Sequence, residues 1–257
     1  MPPWIAFPNL GDYRFDAAKL TGKWSRLHAG DAEPLPRDER VLHAWTLLHN
    51  GEFQRAADAG LDAGDAGLTV AHKASCMYAN YLEKNEAARL DLFMQVAQRA
   101  RDHGLRDPKN ANAWYWQAYA LGRYSQAISV ARALAQGLAG RIKEALERAI
   151  RLQPRHADAH IALGTFHAEV IDKVGPLVAG MTYGAKKELG LKLFQDGLTL
   201  NPASAIAMIE YANGLLMLDG DERMADATRL YEQAANCEPA DAVERLHVEL
   251  ARTELVE

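Results

Sequence analysis

Residues 154–202 read PRHADAHIALGTFHAEVIDKVGPLVAGMTYGAKKELGLKLFQDGLTLNP, and two helical runs lie between the bounding prolines. Counted forward from Pro154, offsets +6, +9, +10 and +13 hold His160, Leu163, Gly164 and His167. Counted back from Pro202, offsets −12, −8 and −5 hold Gly190, Phe194 and Gly197. The same register recurs on either side. Pro108 is followed by Trp114, Gln117, Ala118 and Leu121, and Pro202 by Met208, Tyr211, Ala212 and Leu215. Pro154 is preceded by Ile142, Leu146 and Ala149, and Pro239 by Ala227, Tyr231 and Ala234. A small residue at −5 lets two helices approach closely, and a large one at −8 fills the seam between pairs. A helical repeat of roughly 35 to 50 residues denotes a solenoid. The fold class expected is therefore all-α: a right-handed superhelical solenoid of antiparallel helix pairs, with a polar capping helix at the C-terminal end.

Outward from this stretch the chain divides into four parts. Residues 1–36 are an arm, punctuated by Pro and Gly and carrying Trp4 and Phe7, followed by a first helix near Phe15–His28. Residues 37–104 read as two degenerate pairs. In the first, Val41, Leu42, Trp45 and Leu48 form one apolar face, and Asn50-Gly51 suits a left-handed helix end. Residues 105–239 hold the extended repeats, and residues 240–257 the cap. Spacing of 46 residues from Pro108 to Pro154 and 48 from Pro154 to Pro202 exceeds a compact helix pair. The excess lies in two inserted segments, Arg123–Leu134 and Lys173–Lys186.

The pattern resembles the tetratricopeptide repeat (TPR), with its W-x2-L-G-x2-Y, A-x3-F and terminal Pro elements. The best copies are Ala157–Ala168 with Lys192–Pro202 and Ala205–Leu215 with Ala227–Pro239. With its two insertions, the C-terminal half resembles the regulator-of-microtubule-dynamics proteins and the T component of TRAP transporters. The match is best from Trp114-Tyr115-Trp116 through Arg141–Ile150. The T component implies a secreted lipoprotein with an apolar ligand pore, and the start of this sequence carries neither a signal peptide nor a lipidation cysteine.

Composition bounds the function. The chain of 257 residues is 49% apolar, 25% charged and 8% aromatic, with a net charge of −5. That balance disfavours nucleic acid as a principal partner. No window approaches the ~18 to 20 apolar residues of a membrane span. Cys76 and Cys237 stand far apart without metal-type spacing and read as reduced thiols, so a cytoplasmic protein is expected.

In such arrays the first helices line a concave groove. The resemblance assigns to it Asn112, Tyr115, Tyr119 and Arg123; Asp158, Ile161, Thr165 and Glu169; and Ile206, Ile209, Asn213 and Met217. Tyr and Arg are hot-spot residue types, so a protein or peptide partner is expected there; a homo-oligomer is a separate reading. His156, His160 and His167, with Glu169 and Asp172, invite a zinc reading, but His160 and His167 fall at seam positions, and packed core histidines explain the pattern without a metal. Arg141, Arg148, Arg151 and Arg155 form a face, with Glu144 and Glu147 placed to pair with Arg148 and Arg151.

The segment Gly175–Gly184 is apolar and glycine-punctuated, and is expected to fold back onto the array. There it would be a plug, or a lid in which Leu177, Val178, Met181 and Tyr183 cover a small apolar ligand, with membrane contact as a third reading. No nucleophile elbow, HExxH or phosphate loop is present, so no catalytic, cofactor or metal site is assigned. The function expected is a scaffold or adaptor without catalysis, with an apolar-ligand carrier as the alternative and an enzyme using the His156–Asp172 helix as a third reading.

Overall fold

The computed structural model describes residues 3–255, and among these every regular element is helical. The contacts divide the chain into two compact units. The first comprises Met1–His28, Glu33–Ile128 and Ala240–Val243, and the second Ala29–Ala32, Ser129–Pro239 and Glu244–Glu257.

The first unit contains α1 (Ala17–Leu27), α2 (Glu39–His49), α3 (Phe53–Asp62), α4 (Leu68–Tyr81), α5 (Glu86–Arg106) and α6 (Ala111–Gln126). Polar side chains set the starts. Asp16 accepts from the Lys19 amide, Asn85 from Ala88 and Asn110 from Ala113, each satisfying an orphan first-turn donor. Every residue from Leu68 to Ala79 of α4 is buried, enclosed by α2, α3, α5 and α6. The N-terminal arm is stapled onto these helices. Trp4 stacks on Tyr78 with centroids 4.2 Å apart, its amide donates to Gln54 Oε1, and Phe7 is buried edge-on against Phe53.

The second unit contains α7 (Val130–Ala135), α8 (Leu138–Leu152), α9 (Ala157–Val174), the single turn α10 (Pro176–Val178), α11 (Lys187–Leu200), α12 (Ala205–Asp219) and α13 (Met224–Ala235). It also takes most of α14 (Ala242–Glu254). The predicted seam is present here. The Phe194 ring is fully buried and lies against Gly164 of α9 and Gly214 of α12, stacked on Tyr211 at 5.1 Å. A Cβ at Gly197 would stand 2.6 Å from Ile161 Cδ1 and 3.1 Å from the Ala157 carbonyl, so α11 and α9 meet backbone to backbone. Ala205, Ile209, Ala234, Val248 and Ala251 form a further cluster that joins α12, α13 and α14. This is the apolar stripe of the capping helix.

Two local expectations are corrected. The 174–184 segment does not fold back as a plug: Leu177 and Met181 are 74% and 81% exposed, and Val178 is exposed too. A π-turn over Ala179–Tyr183, between Gly175 (φ 78°) and Gly184 (φ 63°), instead turns the small Ala179 inward and the large side chains outward. Both glycines adopt left-handed φ, where a side chain is strained. On α8, Glu147 pairs with Lys143 at 3.7 Å, one turn before it, and this replaces the expected pairing with Arg151 one turn after it.

Candidate functional site

In the first unit the candidate groove residues lie along α6, which polar Asn110 starts and which Trp114 packs beside Gly104 of α5. Four side chains form a ladder. Tyr115 meets Trp116 at 4.9 Å, Trp116 meets Tyr119 at 5.3 Å, and the Arg123 guanidinium stands 5.3 Å from the Tyr119 ring. Tyr115 and Trp116 are buried and Tyr119 and Arg123 half-buried, so the ladder runs from the core to the surface. Arg123 also donates to Gln126 at 3.1 Å. Cation–π contact of this kind ties the guanidinium to the Tyr119 ring. Asn112 does not join the ladder: it is buried and donates to Glu33 Oε2 at 2.5 Å.

In the second unit the candidates divide into pairs. Asp158 is taken up by Gly30, whose carbonyl accepts from the Asp158 amide at 3.0 Å and whose Cα faces the Asp158 carboxylate. Thr165 on α9 donates to Glu210 on α12 at 3.1 Å, and Glu169 pairs with Lys173 at 3.8 Å. Asn213 accepts from the Tyr231 hydroxyl at 2.5 Å. Burial, reinforced by the nearby Glu254 and Glu210 charges, pushes the Tyr231 phenol up to about 12. Ile161 and Ile209 are buried in core clusters, while Ile206 and Met217 are partly buried against them. Leu177, Val178 and Met181 face solvent and Tyr183 is half-buried, so these side chains do not close over a ligand as a lid would.

The histidines are structural in their bonding. His156 is the N-cap of α9, its Nδ1 accepting from the Ala159 amide at 3.1 Å. His160 donates from Nδ1 to the His156 carbonyl at 2.9 Å. His167 accepts at Nδ1 from the Lys186 amide at 3.1 Å, and burial, with Lys143 nearby, lowers its pKa to about 4. It is therefore neutral, with its proton on Nε2. Among the described residues no three His, Cys, Asp or Glu side chains are grouped so as to hold a metal.

Sequence reasoning missed two buried polar clusters in the first unit. In one, Asp241 Oδ2 lies 2.5 Å from His49 Nδ1, and His49 Nε2 lies 3.3 Å from His28 Nε2. The carboxylate accepts from His49 Nδ1, and the two Nε2 atoms share one proton between them. The chain locks the ends of α1 and α2 to residue 241, far from solvent. Asp241 had the signature of an N-cap residue after Pro239; its partner, 192 positions away, had none.

The other cluster sets His72, Ser75 and Cys76 of α4 against Arg99 and His103 of α5. Arg99 Nη2 donates to Ser75 Oγ at 3.4 Å, and the rings of His72 and His103 stand 5.7 Å apart. Burial lowers the pKa of both histidines and raises that of the Cys76 thiol, which keeps all three neutral. Beside this cluster, a surface cavity of about 540 Å³ runs along α5, lined by Met94, Gln98, Arg99 and Asp102 among others.

With this geometry in view, known proteins give two points of comparison. The model of the family described as regulator of microtubule dynamics protein 1-3 matches residues 62–175, from the end of α3 to the glycine that closes α9. A thermophilic TPR protein from Thermus thermophilus has the same fold, with a TM-score of 0.58 at 16% identity over 84% of this chain and 98% of that one. The chain has a TPR-like helical-repeat fold, and its residues 62–175 are similar to the regulator-of-microtubule-dynamics family. No curated protein matches it by sequence. At 16% identity the Thermus TPR protein attests the fold alone. The family match covers α4–α9, so it includes both the aromatic ladder of α6 and the first inserted segment.

Proposed function

We propose that this TPR-like protein is a cytoplasmic scaffold that binds a protein or peptide, without catalysis, and that Tyr119 and Arg123 are its principal contacts. The observation that carries this reading is the ladder on α6, because its buried half makes the half-exposed Tyr119 and Arg123 rigid. Rigid aromatic and arginine side chains at the edge of a packed core have the character of binding hot spots. The guanidinium fork suits a carboxylate on the partner, and the Tyr119 ring an apolar or aromatic neighbour. A polynucleotide partner does not fit a chain with net charge −5.

The test is capture of partners from native lysate by the purified chain, compared with Tyr119→Ala/Arg123→Ala. Each truncation is expected to weaken capture by about 2 kcal/mol, roughly thirtyfold, with helicity and melting temperature retained. Undiminished capture by the double variant removes the α6 ladder from the reading.

A further inference from the structure

Residues 129–141, which take in the second-unit part of the first insertion, and residues 173–187, which take in the second insertion, both lie in the second unit. Helices α8 and α9 are joined by only residues 153–156 and pack on one another, so they run antiparallel. That places the start of α8, with α7 before it, at the same end as the finish of α9, with α10 after it. Lys143, on α8 two residues past the first segment, holds the second, its Nζ donating to the Tyr183 carbonyl at 2.9 Å.

At this end the surface has an unusual composition. Val130 and Leu134 from one segment and Leu177, Val178 and Met181 from the other are all exposed. Exposed apolar side chains gathered at one end mark an interaction site, whereas single ones scattered over a surface do not. Neither segment contains an Asp or a Glu, while together they hold Arg132, Arg141, Lys173, Lys186 and Lys187 in a chain of net charge −5. Lys173 and Lys187 pair with Glu169 and Asp219 from outside the segments, and Arg132 and Lys186 are exposed. The glycine-bounded π-turn at 179–183 holds this arrangement, with Ala179 anchored inward and Met181 at the tip.

We propose that the face formed by residues 129–141 and 173–187 docks the protein onto an anionic lipid bilayer. Leu177, Val178 and Met181 enter the headgroup–acyl boundary, while the flanking Arg and Lys side chains meet anionic headgroups. Charge complementarity selects this occupant, since an uncharged apolar partner would give no reason for the segments to exclude every carboxylate. The proposal is independent of the α6 ladder, which lies in the other unit.

The test is vesicle flotation with the full chain. It compares pure phosphatidylcholine with phosphatidylcholine containing about one quarter phosphatidylserine, at low and high salt. Binding is expected only with phosphatidylserine and is expected to fall as salt rises. Leu177→Ser/Met181→Ser should weaken it on the order of tenfold per side chain. Arg132→Glu/Lys186→Glu should reduce it as well. All four side chains are exposed, so the variants should keep wild-type helicity and melting temperature, which circular dichroism checks. Absence of flotation with phosphatidylserine vesicles overturns the proposal, as does flotation that Leu177→Ser/Met181→Ser leaves unchanged. If light scattering instead finds self-association that this variant abolishes, and vesicles are not bound, the face belongs to a second copy of the chain.

Discussion

In the second unit, α11 meets α9 and α12 through glycines and one aromatic ring. In the first, α4 is enclosed on every side and carries His72, Lys73, Ser75 and Cys76 into the interior. The α9–α11 seam gains its stability from apolar contact at very short range, where a single methyl group has no room. The α4 interior has to satisfy its polar groups, and it does so partly with its own carbonyls, Leu68 for His72 and Ala71 for Ser75. The rest comes from other helices, Arg99 for Ser75 and the Trp45 ring for Lys73, whose Nζ is 5.6 Å from the centroid. One kind of packing is defined by residue size at a fixed spacing. The other is defined by which chemical groups happen to meet.

The comparison can be broken most directly at Phe194. Removing this ring leaves a cavity between Gly164 and Gly214 that two glycine-lined backbones cannot refill, so Phe194→Ala should cost about 3–5 kcal/mol in denaturant unfolding. A loss below about 1 kcal/mol would mean that the seam is not the support of the second unit.

The next effect is one of pH. His167 has its pKa lowered from 6.5 to about 4, so between those values the unfolded chain binds more protons than the folded one. Its contribution is complete above pH 6.5 and is lost as pH falls towards 4, by roughly 2–4 kcal/mol. His72 and His103 are shifted in the same direction and steepen the decline. His167→Gln, which keeps an acceptor for Lys186 but does not titrate, should give a measurably flatter plot of unfolding midpoint against pH.

Gly197→Leu and Ala234→Leu come third. Each overpacks a helix crossing and should cost roughly 1–3 kcal/mol, read as a lower melting temperature. Unchanged melting would refute the small-residue register. In the α4 interior the opposite result is expected. His72→Leu removes a buried Nε2 that has no hydrogen-bond partner, and should change stability by about 1 kcal/mol or less in either direction. A large loss there would reveal a polar network that the seam comparison undervalues. The smallest effect belongs to Leu177→Ser/Met181→Ser, within about 0.5 kcal/mol of wild type, because neither side chain is buried.

Much of the architecture was readable in the residue pattern. Pro108, Pro154, Pro202 and Pro239 follow the ends of α5, α8, α11 and α13, and the small residues five positions before the last three are buried as expected. Gly197, at one of these positions, marks a close approach of α11 to α9 where a Cβ would stand 2.6 Å from Ile161 Cδ1. The candidate site was legible only as positions. Tyr119 and Arg123 do form a ladder, but Asn112, at the same kind of offset, is taken up by Glu33, and Asp158 by Gly30. Offsets along one helix specify a face and say nothing of what arrives from elsewhere in the chain to cover it.

The sequence by itself determined the helices, their ends and the spacing of the seam, because proline, glycine and residue size act through local geometry and repeat with a regular period. Tertiary structure alone decided the partners. Asp241 meets His49 across 192 positions, and Arg99 reaches Ser75 across 24. It also decided that Leu177 and Met181 face outward. An apolar side chain is drawn inward only where space exists for it; here the two glycine turns and the Lys143 tether orient the backbone so that Ala179 takes the inward place.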